Sequence, residues 1–520
     1  MTARLVIAAP ATRQGKTSVV LGLASALREN GLAVAVCKVG PDYLDTRWHA
    51  LATGRMARNL DVWTMGERGV AQAFSHSACE ADIVLVEGVM GLFDGHRTGA
   101  ASTSTADVAV LLGAPVVLVI DASYSDASLA ALAGGFATFD PRVRVAGVVL
   151  NRFAKHRERS AVKQAFERVG IPVLGWLPPS KDAELPSRHL GLVQPFGGAG
   201  GAEDGAEDAG GTGGGEGGAA DGEGIGDDGS RLRRPKEAID ALAHLVKRHA
   251  DVQALLQIAR AAGPWEQAPC AWEGWRQDDG GAGLGGGTDG GGVSDVGSGG
   301  GASCDTAVNR RVRIAVAADE AFSFYYPDSL DVLRGLGAEL AWFSPIRDGG
   351  LPQGVSGIYL GGGYPELFAR QLAENHAMRE SVASAASVGM PVYAECGGML
   401  YLLDALLDPE GRCHDMAGVL PGRARMAERL QRVGYVEARL ASDGILGDAG
   451  AVVRGHEHRY SVCEPAQGET PAWLVGGKGH GFATANILAS YLHLNFVGCP
   501  ARAEAFVGAC REYGRGAHGA

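Results

Sequence analysis

The stretch Met390–Leu402 reads MPVYAECGGMLYL. An apolar run ends in Ala-Glu, a cysteine follows at position 396, and two glycines lead into an apolar segment with helical spacing. A short apolar run that stops at a glycine turn is typical of a buried parallel strand, and the segment after it is typical of a packed helix. The stretch therefore predicts an α/β domain with Cys396 at the corner between a strand and a helix.

Cys396 has the surroundings of a nucleophile. A tight corner lifts the sulfur clear of the backbone, and a helix N-terminus favours the thiolate form of a cysteine. Gly397 removes side-chain bulk, so the backbone N–H after the cysteine can bind an oxyanion, and the glycine corner YLGGGYPE offers Gly362 and Gly363 as further donors. A buried, inert cysteine is the commonest fate of the residue type, but the flanking glycines favour the nucleophile.

A cysteine nucleophile needs a general base, which we expect to be a histidine from later in the chain. The run ASYLHLNF offers His493 at the end of a strand-like segment. The run GHEHRYS offers His456 and His458 as competing candidates. We favour His493.

The corner belongs to the second of two alternations of strands and helices. The runs RVRIAVAAD, ELAWFSP, GIYLGGG and PVYAEC read as strands after residue 311, and RLVIAA, AVAVCKV, DIVLVEG, APVVLVID, VAGVVLN and PVLGWLP read as strands near the start. At 520 residues the chain is long enough for two domains. The predicted organisation is a first domain at 1–196, an insertion at 197–232, a helical segment at 233–262, a linker at 263–310, a second domain at 311–512 and a tail at 513–520.

The acidic charge belongs to two Gly-rich segments. Residues 197–229 hold nine acidic residues, residues 278–305 hold five, and neither segment holds a basic residue. Removing those fourteen charges from the formal net charge of −12 leaves about +2, so the acidic balance carries no information on partners and nothing favours nucleic acid. We expect both segments to be disordered, because they cannot bury a core.

Cysteine usage and the apolar runs predict the cellular setting. The nine cysteines form no C-x-x-C pair, and no secretory signal opens the chain. The longest apolar stretch, Val108–Ile120, is too short to span a bilayer. We therefore expect reduced thiols in a soluble, cytoplasmic protein with no membrane partner.

A phosphate loop is predicted where the first strand ends. The run AAPATRQGKTS precedes a good helix, and a Gly-Lys-Thr at such a corner presents backbone N–H groups and a helix N-terminus to a phosphate. Lys16 would reach the β- and γ-phosphates and Thr17 would ligate Mg²⁺. Pro10 stands where the full motif has its first glycine, and Arg13 lies inside the loop. The strand-loop-helix context favours a phosphate loop over an ordinary turn.

Carboxylates follow the next predicted strands. Asp42 and Asp45 lie beyond the second strand, and Glu87 ends a later one. The carboxyl edge of a parallel sheet is where α/β proteins bind ligands. Each acid alone reads as structural, for example as a helix cap. Together beside a phosphate loop they favour an ATP–Mg²⁺ site.

These residues resemble a known family. Cys396, the GGGYPE corner and His493 resemble a class I glutamine amidotransferase domain, although Asn495 stands where most such domains have the triad glutamate. The branch that works on cobalamin precursors also lacks that glutamate. The first half resembles the dethiobiotin-synthetase-like ATP domain of the same branch. The motifs, which span most of the chain outside the two Gly-rich segments, are GKTSVVLGLASAL, KVGPDYLDTRWH, NLDVW, VEGVMGLFDG, LPSRHLGL, ADEAFSFYYPDSLDVL, YLGGGYPELFA and RGHEHRYS. They resemble the cobyrinic or hydrogenobyrinic acid a,c-diamide synthases rather than the cobyric acid synthases.

The resemblance implies a fold and a reaction. The expected fold is an N-terminal P-loop-type parallel sheet with helices on both faces and a C-terminal flavodoxin-like glutamine amidotransferase domain. The expected enzyme is a carbon–nitrogen ligase: Cys396 and His493 release ammonia from L-glutamine, ATP phosphorylates the a or c acetate of the corrinoid, and ammonia displaces the phosphate. A homodimer is also expected.

The resemblance also implies site residues. The nucleotide would contact Thr12, Gly15, Lys16, Thr17 and Asn151, the latter at the adenine. The acyl phosphate and the corrinoid would contact Asp42, Tyr43, Leu44, Asp45 and Asp94. The oxyanion would contact Gly362, Gly363 and Gly397, and Mg²⁺ would contact Thr17, Asp45 and Glu87.

Several points stay open at this stage. The ring of the substrate has cobalt in one route and none in the other, and another tetrapyrrole such as nickel-sirohydrochlorin is an alternative substrate. A P-loop partitioning or regulatory ATPase is an alternative of another class, but it has no need of Cys396 or His493. Arg13 replaces a residue that is usually small in the loop, and the roles of Arg13, Asn495 and the two Gly-rich segments are open.

Overall fold

The computed structural model describes residues 2–95, 97–98, 101–123, 125–154, 158–185, 187–188, 191–192, 235–265 and 312–517. The predicted insertion at 197–232 and nearly all of the predicted linker at 263–310 lie outside the described residues. Within the ranges that are described, no helix combines the length and the apolar character needed to cross a membrane.

The first half contains a parallel sheet of seven strands. Its strands are Ala3–Ala8 (β1), Val34–Val39 (β2), Arg58–Leu60 (β3), Ile83–Glu87 (β4), Val116–Asp121 (β7), Val145–Asn151 (β8) and Val173–Trp176 (β9), and short hairpins are formed by Arg97–Thr98 (β5) with Ala101–Ser102 (β6) and by Ser187–Arg188 (β10) with Gly191–Leu192 (β11). The spatial order is β3-β2-β4-β1-β7-β8-β9. The carboxyl ends of β2, β4 and β1 therefore lie side by side, as the prediction of a ligand site at this edge requires.

Helices cover both faces of this sheet. They are Lys16–Glu29, Leu44–Thr53, Val62–Ala78, Thr105–Leu111, Ser128–Phe139, Arg159–Val169, Pro235–His249 and Val252–Arg260. Alternate residues of β1 enter different apolar clusters: Val6 packs in one, and Leu5 and Ile7 pack in the other. This alternation is that of a strand buried on both faces, so the predicted P-loop-type α/β fold is confirmed.

The helical segment predicted at 233–262 is two helices packed on the first domain. The first helix ends before Asp251, and the second begins after it. The Asp251 backbone N–H donates to the Leu174 carbonyl at 2.7 Å, and its side chain accepts a hydrogen bond from Ala254 N at 2.9 Å. The first of the two helices lies so close to helix Lys16–Glu29 that a Cβ on Gly22 would be 2.6 Å from the Leu242 carbonyl oxygen. The segment thus completes a layer of the first domain.

The second half contains a six-stranded sheet with the order β14-β12-β15-β17-β27-β26. Its strands are Val312–Ala317 (β12), Ala338–Phe343 (β14), Gly357–Leu360 (β15), Val392–Glu395 (β17), Phe482–Ala483 (β26) and Ile487–Ser490 (β27), and all pairs are parallel except β26 with β27. Helices Pro327–Gly335, Ala369–Glu374, His376–Ser387, Gly397–Leu402 and Pro500–Ala517 belong to this half. The sheet confirms the predicted second α/β domain.

Two further sheets, which no sequence pattern predicted, follow the cysteine corner; in the first, β18 and β20 pair in parallel, and all other pairs in both sheets are antiparallel. One has the order β19-β18-β20-β23 and the other β25-β24-β21-β22-β28. Their strands are Leu403–Leu407 (β18), Cys413–Asp415 (β19), Leu420–Met426 (β20), Arg432–Leu440 (β21), Val452–Arg459 (β22), Ser461–Glu464 (β23), Trp473–Val475 (β24), Lys478–His480 (β25) and His493–Leu494 (β28), while Phe322–Phe324 (β13) pairs with Gly362–Gly363 (β16). These strands carry both candidate histidine runs to the corner.

Polar contacts hold the two domains together. The buried guanidinium of Arg58 contacts Asp328 at 2.5 Å and Asp331 at 2.7 Å. The Tyr435 hydroxyl donates to Asp61 at 3.0 Å. Asp61 directly follows the carboxyl end of β3, so its bond to Tyr435 joins this edge of the first sheet to the second domain, and the two predicted sites face one another.

Candidate active site

Cys396 lies at a strained corner. It directly follows β17, its φ is 46° and its ψ is −104°, and helix Gly397–Leu402 begins at the next residue. Positive φ is uncommon for residues with a side chain, and such strain clusters at functional sites. The Cys396 backbone N–H donates to the Ser490 carbonyl at 2.7 Å. The cysteine is partly exposed, as a nucleophile must be.

The glycines around the corner permit close packing. A Cβ on Gly398 would lie 2.3 Å from the Leu360 carbonyl oxygen, and a Cβ on Gly397 would lie 3.0 Å from the backbone nitrogen of Gly363. The turn that carries Gly363 therefore lies against the start of the helix. This places two of the three predicted oxyanion residues beside Cys396.

His493 faces the corner from the short strand β28. Its register partner across the sheet is His456. A Cβ on Gly362 would lie 2.6 Å from His493 Cε1, so that glycine leaves room for the ring. Burial lowers the pKa of His493, but hydrogen bonds and charge from Cys396 and Glu395 outweigh burial and raise it to about 10. His493 is thus a protonated partner of the thiol at neutral pH.

The two competing histidines lie in the same cavity but do not replace His493. Burial, followed by the charge of His493, lowers the pKa of His456 to about 3. Burial also lowers the pKa of His458. Both rings are therefore neutral at physiological pH, and His493 is the histidine whose pKa the neighbouring Cys396 raises.

The acid beside the histidine is Glu395, which the sequence reasoning missed. Its Oε2 lies 3.4 Å from His493 Nδ1. The family resemblance places the acid two residues after the histidine, but Asn495 lies there, where it is buried and accepts a hydrogen bond from Val497 N at 3.1 Å. The sequence does carry a signal for Glu395. Like Glu87, it is a carboxylate that ends a buried strand, and it directly precedes the nucleophile.

The phosphate loop is formed between β1 and its helix. Gly15 has a φ of 95°, and a Cβ there would lie 2.1 Å from Asn151 Nδ2, so only glycine fits. The Asn151 amide donates to the Gln14 carbonyl at 3.0 Å and so contacts the loop itself. Thr12 and Arg13 are exposed, and the Arg13 backbone adopts a φ of 61°, so its side chain does not fill the loop.

Lys16 and Thr17 lie at the start of that helix. Lys16 Nζ donates to the Met90 carbonyl at 2.6 Å and to the Ala11 carbonyl at 3.2 Å. Burial, and then the nearby charge of Lys38, lower the pKa of Lys16 to about 8. The Thr17 hydroxyl donates to Glu87 at 2.6 Å. The predicted phosphate-binding residue Lys16 therefore lies near the predicted metal ligands Thr17 and Glu87.

Lys38 joins the predicted carboxylates and was also missed. Its Nζ lies 2.7 Å from Glu87 Oε1 and 2.5 Å from Asp45 Oδ2, and His49 lies 2.6 Å from the other Glu87 oxygen. Burial alone would raise the pKa of Glu87, but Lys38 and His49 hold it well below its usual range. Burial raises the pKa of Asp45 to about 6 although Lys38 opposes it.

The donor set fits Mg²⁺ when a nucleotide supplies further ligands. Among the residues that the structure describes, no three His, Cys, Asp or Glu side chains form a cage for a metal ion. Mg²⁺ in nucleotide sites binds one or two carboxylates together with phosphates rather than a cage made only of protein. Thr17, Asp45 and Glu87 supply the oxygen donors of that kind.

One cavity of about 550 Å³ lies between the domains. The first domain contributes Asp42, Tyr43, Leu44 and Met90, and the second contributes Cys396, Gly363, His456, His458 and His493, among others.

Asp42 accepts hydrogen bonds from Leu44 N and Asp45 N at 2.9 Å and so starts the next helix. The Tyr43 ring stacks on Phe324 and lies 5.3 Å from the His493 ring. Asp94 is exposed and accepts from Gly91 N at 3.0 Å.

The fold and the site define a class of protein. A nucleotide-binding α/β domain is joined to a cysteine-dependent glutamine amidotransferase domain, and the two share a cavity. Residues 5–193 match the model of the CobQ/CobB/MinD/ParA nucleotide binding domain, and residues 313–500 match the model of the CobB/CobQ-like glutamine amidotransferase domain. The chain is a glutamine-dependent amidotransferase of the ligase type.

Whole-length relatives give the particular family. The chain is 41% identical to hydrogenobyrinate a,c-diamide synthase of Streptomyces coelicolor, over 98% of this chain and 97% of the relative. It is 39% identical to cobyrinate a,c-diamide synthase of Syntrophotalea carbinolica and 35% identical to that of Dehalococcoides mccartyi, in each case over 98% of both chains. The chain belongs to the family of cobyrinate and hydrogenobyrinate a,c-diamide synthases.

Proposed function

We propose that this protein converts the a and c acetate carboxylates of cobyrinate or hydrogenobyrinate into amides, with ATP and L-glutamine as co-substrates. The observation that carries the proposal is the shared cavity, in which Cys396 and residues 42–44 line the same space. Ammonia released at the cysteine would reach the second reaction without leaving the protein. Family membership supports the identity of the acid.

The glutamine half-reaction uses the cysteine corner. The Cys396 thiolate attacks the side-chain amide carbon of glutamine, and protonated His493 gives its proton to the departing ammonia. Water then hydrolyses the thioester and glutamate leaves. The backbone N–H groups of Gly363 and Gly397 are proposed to bind the oxyanion. We assign Gly362 mainly to clearance for the His493 ring, because a Cβ there would meet it at 2.6 Å.

The synthetase half-reaction uses the phosphate loop. A carboxylate is a poor acyl donor, so its oxygen first attacks the γ-phosphorus of ATP and ADP departs. Ammonia then attacks the acyl phosphate and inorganic phosphate departs. Lys16 would compensate the phosphate charge. Mg²⁺, held by Thr17, Asp45 and Glu87, would neutralise further phosphate charge when bound.

The remaining predicted residues surround these groups. Asp42, Tyr43 and Leu44 line the cavity, and we propose that they contact the corrinoid together with Asp94. Gly15 and Thr12 belong to the phosphate loop. The Asn151 amide donates to the Gln14 carbonyl at 3.0 Å. We propose that Asn151 acts on the nucleotide by holding the phosphate loop in place.

The test is mass spectrometry of cobyrinate and of hydrogenobyrinate, each incubated with the protein, ATP, Mg²⁺ and glutamine. A product with two amides from either acid supports the proposal and also identifies whether the ring holds cobalt. If neither acid changes while glutamine is still hydrolysed, the corrinoid proposal is wrong and another tetrapyrrole, such as nickel-sirohydrochlorin, becomes the substrate to test. Omission of Mg²⁺ should abolish the product.

Two finer proposals rest on the family resemblance. We propose that the protein is a homodimer and that it works in the cytoplasm. Light scattering of the purified protein tests the first, and a monomer mass would refute it. Fractionation of the source cells tests the second.

A further inference from the structure

Glu395 is a buried carboxylate at the end of β17, directly before the nucleophile. Its exposed fraction is 1%. A carboxylate so deeply buried is costly unless it is paired with a cation or with several donors. Its partners therefore show what it does.

The two oxygens of Glu395 have different partners. Oε1 accepts from Leu494 N at 3.0 Å and from the Tyr393 hydroxyl at 2.5 Å. Oε2 lies 3.4 Å from His493 Nδ1 and accepts from the Tyr359 hydroxyl at 3.3 Å. The carboxylate thus contacts the ring of His493 and the backbone of the residue after it. Both contacts fix the same short strand.

The other groups that face His493 cannot perform this task. They are the thiol of Cys396, the neutral imidazoles of His456 and His458, and the aromatic ring of Tyr43. The thiol is the reaction partner of the ring. The two imidazoles lie on β22 and, being neutral, offer no negative charge to His493. Glu395 Oε2 faces Nδ1 of His493, and a carboxylate acceptor at that position favours a protonated Nδ1.

We propose that Glu395 is the third member of the glutamine-hydrolysing site, a positioning residue that orients His493 toward Cys396. It takes over the role of the acid that is absent at position 495, and it reaches the ring from the nucleophile's own strand. This inference rests on the proposed glutamine hydrolysis. It adds a polar residue to the cysteine and histidine named from the sequence.

The first experiment follows the His493 ring by NMR over pH in the full-length Cys396→Ala variant. That variant lacks the thiol, so Glu395 is left as the anionic neighbour of the ring. The ring should still lose its proton well above its ordinary pKa of about 6.5, and Cys396→Ala/Glu395→Gln should lose it at or below that value. Equal titration in the two variants would overturn the proposal. A Cys396→Ala/His493→Gln variant assigns the signal.

The second experiment is steady-state glutamine hydrolysis across pH. Glu395→Gln should lower kcat roughly 10²-fold and move the alkaline limb to lower pH, whereas Glu395→Asp, which keeps the charge, should restore the limb. The control is Asp319→Asn, since Asp319 is also a buried strand-end carboxylate but bonds Ser344 and backbone N–H groups. Asp319→Asn should leave the alkaline limb unmoved. If it moves the limb as far as Glu395→Gln does, or if Glu395→Gln does not move the limb, the positioning role is wrong.

Amidation with added ammonia distinguishes a defect in glutamine hydrolysis caused by the loss of Glu395 from a failure of the proposed function. Glu395→Gln should keep it near wild type, because ammonia bypasses the cysteine. If Glu395→Gln does not fold, the NMR comparison of Cys396→Ala with the ordinary histidine value still decides the proposal. If the wild-type protein hydrolyses no glutamine, the proposed function fails first, and the result is distinct from a failure of Glu395 alone.

Discussion

Small differences in side-chain size decide whether His493 can occupy its place. Gly362 adjoins the ring so closely that any Cβ would meet Cε1 at 2.6 Å. Real Cβ atoms do not approach so near, so either the ring or the β16 backbone must move. The position of the His493 ring therefore requires that residue 362 has no side chain.

Gly362→Ala should lose glutamine hydrolysis by roughly 10²-fold, because a shift of about 1 Å at a catalytic group has that effect. Ammonia-dependent amidation should remain. The matched control is Gly508→Ala in helix Pro500–Ala517, where a Cβ meets nothing within 4 Å. Rates with glutamine and with ammonium salt measure both. Unchanged glutamine hydrolysis in Gly362→Ala would contradict the position of the ring.

Lys16→Ala should remove the cation that compensates the phosphates, so amidation should fall roughly 10²-fold or more with either nitrogen source. Glutamine hydrolysis at Cys396 should persist, because the lysine lies in the other domain. Coupled assays of glutamate and of ADP measure the two. A selective loss with glutamine, but not with ammonia, would contradict the assignment of Lys16 to the nucleotide.

At the scale of elements, the first sheet is held against the second domain by Arg58, the first residue of its edge strand β3. Its guanidinium bonds Asp328 and Asp331 of helix Pro327–Gly335 at 2.5 and 2.7 Å. Both Arg58 and Asp328 are buried, so removal of one partner leaves an uncompensated charge.

Arg58→Ala should lower the free energy of unfolding by about 3–5 kcal/mol, the usual cost of breaking a buried ion pair. Arg142→Ala is the control, because its ion pair with Asp140 is exposed and should contribute little. Thermal and urea unfolding measure both variants. An Arg58→Ala protein as stable as Arg142→Ala would show that the interface does not depend on this pair.

Elements with a strong local pattern were predicted from the sequence, and those defined by distant partners were not. The apolar runs gave most of both parallel sheets, and the glycine corners gave Cys396 and the phosphate loop. The strand β3 and the two sheets that follow the cysteine corner have no such pattern. Glu395 and Lys38 were missed because their roles depend on partners 98 and 49 residues away, respectively.

At the scale of the whole molecule, one cavity is lined by residues proposed for both reactions. Cys396 and His493 come from the second domain, and Asp42, Tyr43 and Leu44 come from the first. The Tyr43 ring lies 5.3 Å from His493, so the proposed corrinoid loop contacts the glutamine site directly. We propose that ammonia passes from Cys396 to the acyl phosphate through this cavity.

The Gly-rich segment 197–229 is expected to contribute nothing to this arrangement. It lies outside the described residues, and its composition alone predicts a linker, because loop-closure cost grows slowly with length. Its deletion should leave amidation within about twofold of wild type, measured under identical conditions. A large loss would show that the segment is more than a spacer.

The most direct measurement compares nitrogen sources in the Cys396→Ala variant. The variant is incubated with ATP, Mg²⁺ and whichever corrinoid acid the wild type amidates, with either glutamine or an ammonium salt, and the product mass is recorded. We predict no amide from glutamine and a diamide from ammonium. A diamide formed from glutamine at the wild-type rate, with nothing added by ammonium, would contradict the account of two coupled sites.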